Sequence, residues 1–256
     1  MTTKALAAGA TLVSLAFACS TFERWLVGRR RHELAWSVSL LMFALGSAAL
    51  WAGAALGWEA WSFRTFYLFG GILNVPFLAL GTVYLLAGPR IGDRVAVVLC
   101  LVGAFAAGVV AVAPLKVPVD PDHFPEGREL LGVMPRIFAG VGSGLAAMVI
   151  IAGALWSSIG LLRRRGGVRL AVANLLIAAG TLLISGKALF EGFGDEELAF
   201  SAALASGITI VFIGFLLTNT TAARPAVGRD DPPAELTAGP VEATPAGAAA
   251  SAQRAP

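Results

Sequence analysis

The chain has 256 residues, 57% of them hydrophobic and 14% charged, with a mean hydropathy of +0.78 and a formal net charge of +3. Soluble domains carry roughly 25% charged residues, and a water-soluble fold of this size could not hide so much apolar surface. Composition therefore excludes a soluble globular protein and makes lipid the solvent for most of the chain.

Seven apolar runs are long enough to cross about 30 Å of hydrocarbon, which takes about 20 helical residues. They lie near 5–22, 34–57, 63–87, 94–114, 136–161, 169–190 and 199–218. Each is expected to be a helix, because an unpaired backbone amide in lipid costs several kcal/mol. The predicted fold is thus an all-α integral membrane protein of seven transmembrane helices, spanning 1–220. A tail over 221–256, rich in Ala, Pro, Thr and Gly, is expected to be disordered.

The first run resembles a signal peptide in length, and Ala16-Phe17-Ala18-Cys19 has the outline of a lipoprotein cleavage site, although Phe17 is bulky there. Its flanking charges argue otherwise. Only Lys4 precedes the run, while Arg24, Arg29, Arg30 and Arg31 follow it, a bias that holds the following loop in the cytoplasm. The later loops alternate. Arg90 and Arg94 lie between runs three and four, and Arg163, Arg164, Arg165 and Arg169 between five and six. The intervening loops hold most of the acids: Glu59; Asp120, Asp122, Glu126 and Glu129; Glu191, Asp195, Glu196 and Glu197. The positive-inside rule then places the N-terminus outside and the C-terminus in the cytoplasm of an inner or plasma membrane. Trp25, Trp36 and Trp156 fall near the inner interface, and Trp58 and Trp61 near the outer one. Arginine outnumbers lysine sixteen to three, and with the Ala and Gly richness this suggests a high-GC bacterial genome.

A shift of 134 residues aligns Val38 with Val172, Leu41 with Leu175, Ala44 with Ala178 and Gly46 with Gly180. Helices one to three would then repeat as five to seven in the same orientation, with helix four as connector: a 3+1+3 parallel repeat. Coincidence in a chain made mostly of Ala, Leu, Gly and Val is the competing reading.

Several activities are disfavoured. No Asp or Glu stands in the middle of a run, which weighs against a proton relay and a retinal counter-ion, and the seventh run has no lysine for a Schiff base. His32 and His123 lie in loops on opposite sides, so they do not ligate a haem between helices. No phosphate-cradling glycine loop, nucleophile elbow or zinc-protease helix is present. Cys19 and Cys100 sit inside apolar runs as small hydrophobes. No cofactor is expected.

The positive candidates cluster near the outer ends of helices three and six. Arg64, Tyr67, Gly71 and Asn74 share one helical stripe, and Lys187 has Glu191 at i+4. Facing each other, these two sets would outline a cationic pocket for a lipid head group or a small anion. The competing reading is that Arg64 and Lys187 snorkel to the interface and pair with Glu59 and Glu191. Asn74 stands beside Pro76, which frees the carbonyl of Ile72 and bends the helix, so Asn74 either lines a cavity or serves as polar glue. Gly140 and Gly144 form GxxxG, and Gly46 and Gly53 lie one heptad apart, spacings that favour close helix approach.

The outer loop DPDHFPE carries Asp120, Asp122, His123 and Glu126, either a weak divalent-cation site or a solvated loop. Arg29, Arg30, Arg31, Arg163, Arg164 and Arg165 read as topology signals that also suit anionic lipid head groups. Three functions remain compatible with these residues: a protein that binds or senses a lipid or small anion from outside, a small-solute transporter built of two three-helix halves, or a membrane enzyme using the outer-loop acids.

Overall fold

The computed structural model describes residues 2–162, 168–185 and 196–222. Among them all regular structure is helical: α1 (Thr2–Gly28), α2 (Arg31–Leu56), α3 (Ala60–Ala87), α4 (Pro89–Val112), the short α5 (Gly127–Leu130), α6 (133–162), α7 (Val168–Ser185) and α8 (Glu196–Ala222). Six helices are long and apolar enough to cross a membrane, namely α1–α4, α6 and α8. The apolar part of α7 that is described, Ala171–Ile184, is shorter. The end of the expected run 169–190 and nearly all of the expected tail lie outside the described residues.

Local chemistry sets the breaks. Arg29 adopts a positive φ of 51° between α1 and α2, where its guanidinium lies 5.0 Å from the centre of the Trp25 ring. Gly57 and Gly88, with φ of 96° and 81°, take the left-handed conformations that end α2 and α3. Pro89 then opens α4, where its missing N–H costs nothing. Glu59 and Ser62 form a reciprocal capping box at the start of α3. Most helices outrun their apolar stretches by up to a turn or two, because charged residues at the ends, such as Arg24 and Arg31, remain helical.

The long helices close a ring in chain order. α1 packs on α2, α2 on α3, α3 on α6, α6 on α7, α7 on α8, and α8 returns to α1. α4 stands outside, against α3 and the first turn of α6. The core runs down the ring from Leu50, Trp58, Phe63 and Leu131 to Phe17, Val211 and Phe215. Trp58 belongs to it: its ring covers Gly53 and is 2% exposed, so it is a core residue rather than an interfacial anchor.

Glycine permits backbone contact at two levels. A Cβ on Gly46 would stand 2.8 Å from the Gly70 nitrogen, so α2 and α3 touch there. One on Gly180 would stand 2.7 Å from the Gly207 carbonyl oxygen, joining α7 to α8. Gly140 and Gly144 behave otherwise. Nothing lies within 4 Å of a Cβ built at either, so this GxxxG stripe opens onto empty space instead of a neighbouring helix.

That space has a backbone origin. Phe66–Leu73 in α3 and Phe138–Gly142 in α6 are π-helical, a wider winding that is frequent at functional sites. Pro76 explains the first. It offers no N–H to either Ile72, one α-turn back, or Gly71, one π-turn back. The Gly71 carbonyl instead accepts the Ser143 hydroxyl of α6 at 2.7 Å. This bond ties the π-helical segment of α3 to the residue that follows the one in α6.

Candidate functional site

Between the two π-helical segments lies a cavity of about 550 Å³. Phe66, Tyr67, Gly70 and Gly71 of α3 form one wall, and Ala139, Gly140, Ser143 and Gly144 of α6 another. α2 contributes Phe43, Gly46 and Ser47, α8 contributes Phe200 and Leu204, and α7 contributes Ile184. Asn74, Val75 and Ala147 lie at its deep end, while Glu126, Arg128 and Arg136 stand at the end nearest the α4–α6 connection. Seven residues of helix separate Tyr67 from Asn74, and Arg136 from Ser143, so the cavity is about 10 Å deep. Its volume falls within the ~300–1,000 Å³ of small-molecule sites.

The lining is mixed in a specific way. Phe66, Phe124 and Phe200 form an aromatic cluster on one flank, with ring centres 5.6–5.8 Å apart. Tyr67 offers a hydroxyl near the mouth, and Ser47, Ser143 and Asn74 offer hydrogen bonds deeper down. The exposed cations Arg128 and Arg136 outnumber the acid Glu126 at the mouth, and among the described residues neither arginine forms an ion pair. Gly127 is required here, because a Cβ on it would stand 2.3 Å from the Tyr67 ring.

Asn74 is 3% exposed and doubly tied. Its side-chain oxygen accepts the Val75 N–H at 2.6 Å, and its carbonyl accepts the Ser39 hydroxyl at 2.7 Å. That leaves the side-chain NH2 as the group Asn74 can offer. Asn74 also borders a second void of about 30 Å³, lined by Ser39 and Thr181 among apolar residues. This is room for one water with polar partners.

Of the stripe read on helix three, Tyr67, Gly71 and Asn74 come together on this cavity, which Gly46, Glu126, Gly140 and Gly144 also line. Arg64 does not line it. Its Nη1 donates to the carbonyls of Val110 (2.6 Å) and Ala111, and its Nη2 to Ala113 at 2.8 Å. Arg64 thus caps the last carbonyls of α4, which a helix end leaves without partners. Lys187 and Glu191 lie outside the described residues, as do Arg163, Arg164 and Arg165. Arg31 pairs with Asp93, which also accepts the Tyr84 hydroxyl at 2.9 Å, and Arg30 is exposed.

In the loop between α4 and α5, Asp120 accepts the Asp122 amide at 3.0 Å and pairs with His123 Nδ1 at 2.8 Å. Those two contacts, the amide first, hold the Asp120 carboxyl below its usual range. Glu126 turns away to the cavity mouth, and its carbonyl starts α5 by accepting the Glu129 and Leu130 amides. Among the described residues no three His, Cys, Asp or Glu side chains are placed to hold a metal. The Asp120, Asp122, His123 and Glu126 set is not convergent.

Arg128, Arg136, Ser47, Ser143 and Phe200 escaped the sequence reading. A signal for part of the set was present: Arg136, Gly140, Ser143 or Gly144, and Ala147 recur at helical spacing as a small and polar stripe. One further polar group was missed at the other end of the bundle. Glu33 is 2% exposed, and its Oε1 receives both Nε (3.0 Å) and Nη2 (2.7 Å) of Arg24. No family model, no curated protein and no solved structure matches the chain.

Proposed function

We propose that this is a seven-span protein of an inner or plasma membrane, N-terminus outside, whose cavity binds a small organic anion from the outer side. The observation that carries the reading is the cavity itself: two arginines at its mouth, an aromatic flank, and hydrogen-bonding groups at its deep end. A guanidinium recognises carboxylate, sulfonate or phosphate through paired donors. The phenylalanines favour an apolar, preferably planar, body, and Asn74, Ser47 and Ser143 suit a polar group at the far end. Free lipid head groups share the anionic chemistry but lack a body that would fill the aromatic flank.

The fold is read as a 3+1+3 parallel repeat. Ring order supports this, because α1–α2–α3 and α6–α7–α8 follow one another and meet at α3–α6 and α8–α1, with α4 peripheral. The equivalent positions Gly46 and Gly180 support it too, since each lets the middle helix of its half touch the third. Arg30, together with the Arg163–Arg165 cluster, would meet anionic head groups at the cytoplasmic leaflet. An enzyme using the outer-loop acids draws no support from their divergent arrangement.

The test is calorimetric titration of naphthalene-2-sulfonate into the protein in lipid nanodiscs, with empty nanodiscs as blank. Saturable binding at one site per chain is expected. Arg136→Gln should weaken it about five- to tenfold, since a hydrogen bond to a charged group at an exposed position contributes about 1–1.4 kcal/mol after screening. Binding that Arg136→Gln and Arg128→Gln both leave unchanged would refute the reading.

A further inference from the structure

Binding alone does not account for how far the cavity reaches. Asn74 stands midway along Ala60–Ala87, so the deep end lies halfway down a helix long enough to cross a bilayer. Sensing an external anion needs no such depth, and drawing a charged molecule toward the centre of the hydrocarbon is costly. The cavity also follows a seam, with α2 and α3 on one side and α6, α7 and α8 on the other. Hydrogen-bonding groups continue past its end, because the small void shares Asn74 with the cavity and adds Ser39 and Thr181.

At the opposite end of the bundle α1 and α8 close against each other. The ends can be told apart, since Lys4 of α1 reaches the Ala55 carbonyl and Trp58 bonds Pro121, all on the cavity side. Away from that side, Phe17 of α1 packs on Phe212 and Phe215 of α8, with ring centres 5.1 and 4.6 Å apart. Arg24 lies 4.9 Å over the Phe215 ring and 2.7 Å from Glu33 Oε1. The second oxygen of Glu33, Oε2, is buried and has no hydrogen-bond partner among the described residues.

Resting on the binding reading above, we infer that the cavity is one end of a transport path, and that the organic anion crosses when α1 and α8 separate at Phe17 and Phe215. Passage is downhill along the anion's own gradient. None of the acids stands mid-span to couple it to protons.

The experiment is uptake of radiolabelled naphthalene-2-sulfonate, which stays charged and crosses lipid poorly, into proteoliposomes of the full chain. Saturable uptake absent from protein-free vesicles is expected. Binding without such uptake overturns the inference and leaves the binding site standing, whereas absence of both overturns the two together. In a Cys19→Ala, Cys100→Ala background, Phe17→Cys and Phe215→Cys joined by a thiol cross-linker should abolish uptake, keep binding within about twofold, and recover on reduction. Uptake indifferent to the cross-link overturns the proposed seam. Should that pair fail to fold, Val211→Cys alone serves, since Val211 borders the small void and is 3% exposed. It should react with a membrane-impermeant thiol reagent only while the anion is being transported; a thiol that stays inert during active uptake overturns the path.

Discussion

Replacing Gly46 by alanine adds one methyl group at the place where α2 and α3 touch. The new carbon would stand 2.8 Å from the Gly70 nitrogen and 2.9 Å from its Cα, where contacts below 3.4 Å are already tight. Both neighbours are backbone, so no side chain can swing aside, and the helices must separate by about 0.5 Å. Overpacking of this kind costs about 1–3 kcal/mol. Alanine recovers up to about 1 kcal/mol through its better helix propensity, so at the middle of the overpacking range, about 2 kcal/mol, the net loss is at least about 1 kcal/mol. Gly144→Ala is the internal control. The same methyl group meets nothing within 4 Å there, so only the propensity gain remains. Unfolding in mixed detergent and dodecyl sulfate, followed by tryptophan fluorescence, measures both. Gly46→Ala should shift the midpoint toward lower dodecyl sulfate, with Gly144→Ala at or above wild type. A Gly46→Ala protein as stable as wild type, or an equal loss from Gly144→Ala, would refute the assignment of one glycine to contact and the other to open space.

Ser143→Ala removes the donor to the Gly71 carbonyl and should cost about 0.6–1.7 kcal/mol in the same assay, while Ser143→Thr should retain most of it. Arg24→Ala leaves Glu33 buried without its cation and should destabilise by about 3–5 kcal/mol; a double variant with Glu33→Gln should recover much of that, and failure to recover would mean that Arg24 acts through contacts other than Glu33. The Asp120 carboxyl should titrate below the ~3.9 of an unstructured chain. Its folded-state contacts therefore contribute fully above that value and are lost as pH falls through the lower folded one. Carbon-detected NMR of the labelled carboxyl reads this directly, and a midpoint at or above the unstructured value would contradict the loop geometry.

How much of this was legible in the sequence depended on the kind of signal. Apolar runs and arginine-rich breaks locate the long helices because lipid forces backbone pairing within each segment, and periodicity marks Tyr67, Gly71 and Asn74 as one face. Helix partners were not legible. Arg64 shares that stripe by spacing, yet the free carbonyls of α4 draw it away from the cavity. GxxxG at Gly140 means close packing only if a neighbour is present, and the π-helical windings around Pro76 and Phe138–Gly142 take the neighbour away. Trp58 resembles an interfacial anchor by position, but Gly53 offers its ring a flat seat in the core. Arg136 and Ser143 became visible as a pair only once α6 was set against α3.

A cavity open to water and reaching the middle of the bundle is best tested by the reactivity of a thiol placed inside it. In the cysteine-free background, Gly144→Cys should react with a membrane-impermeant methanethiosulfonate from the Arg128 side, and naphthalene-2-sulfonate should protect it. Leu101→Cys, on the outward face of α4 and 68% exposed, should stay inert because it faces lipid. An unreactive thiol at 144, or equal reactivity at 101, would contradict the account.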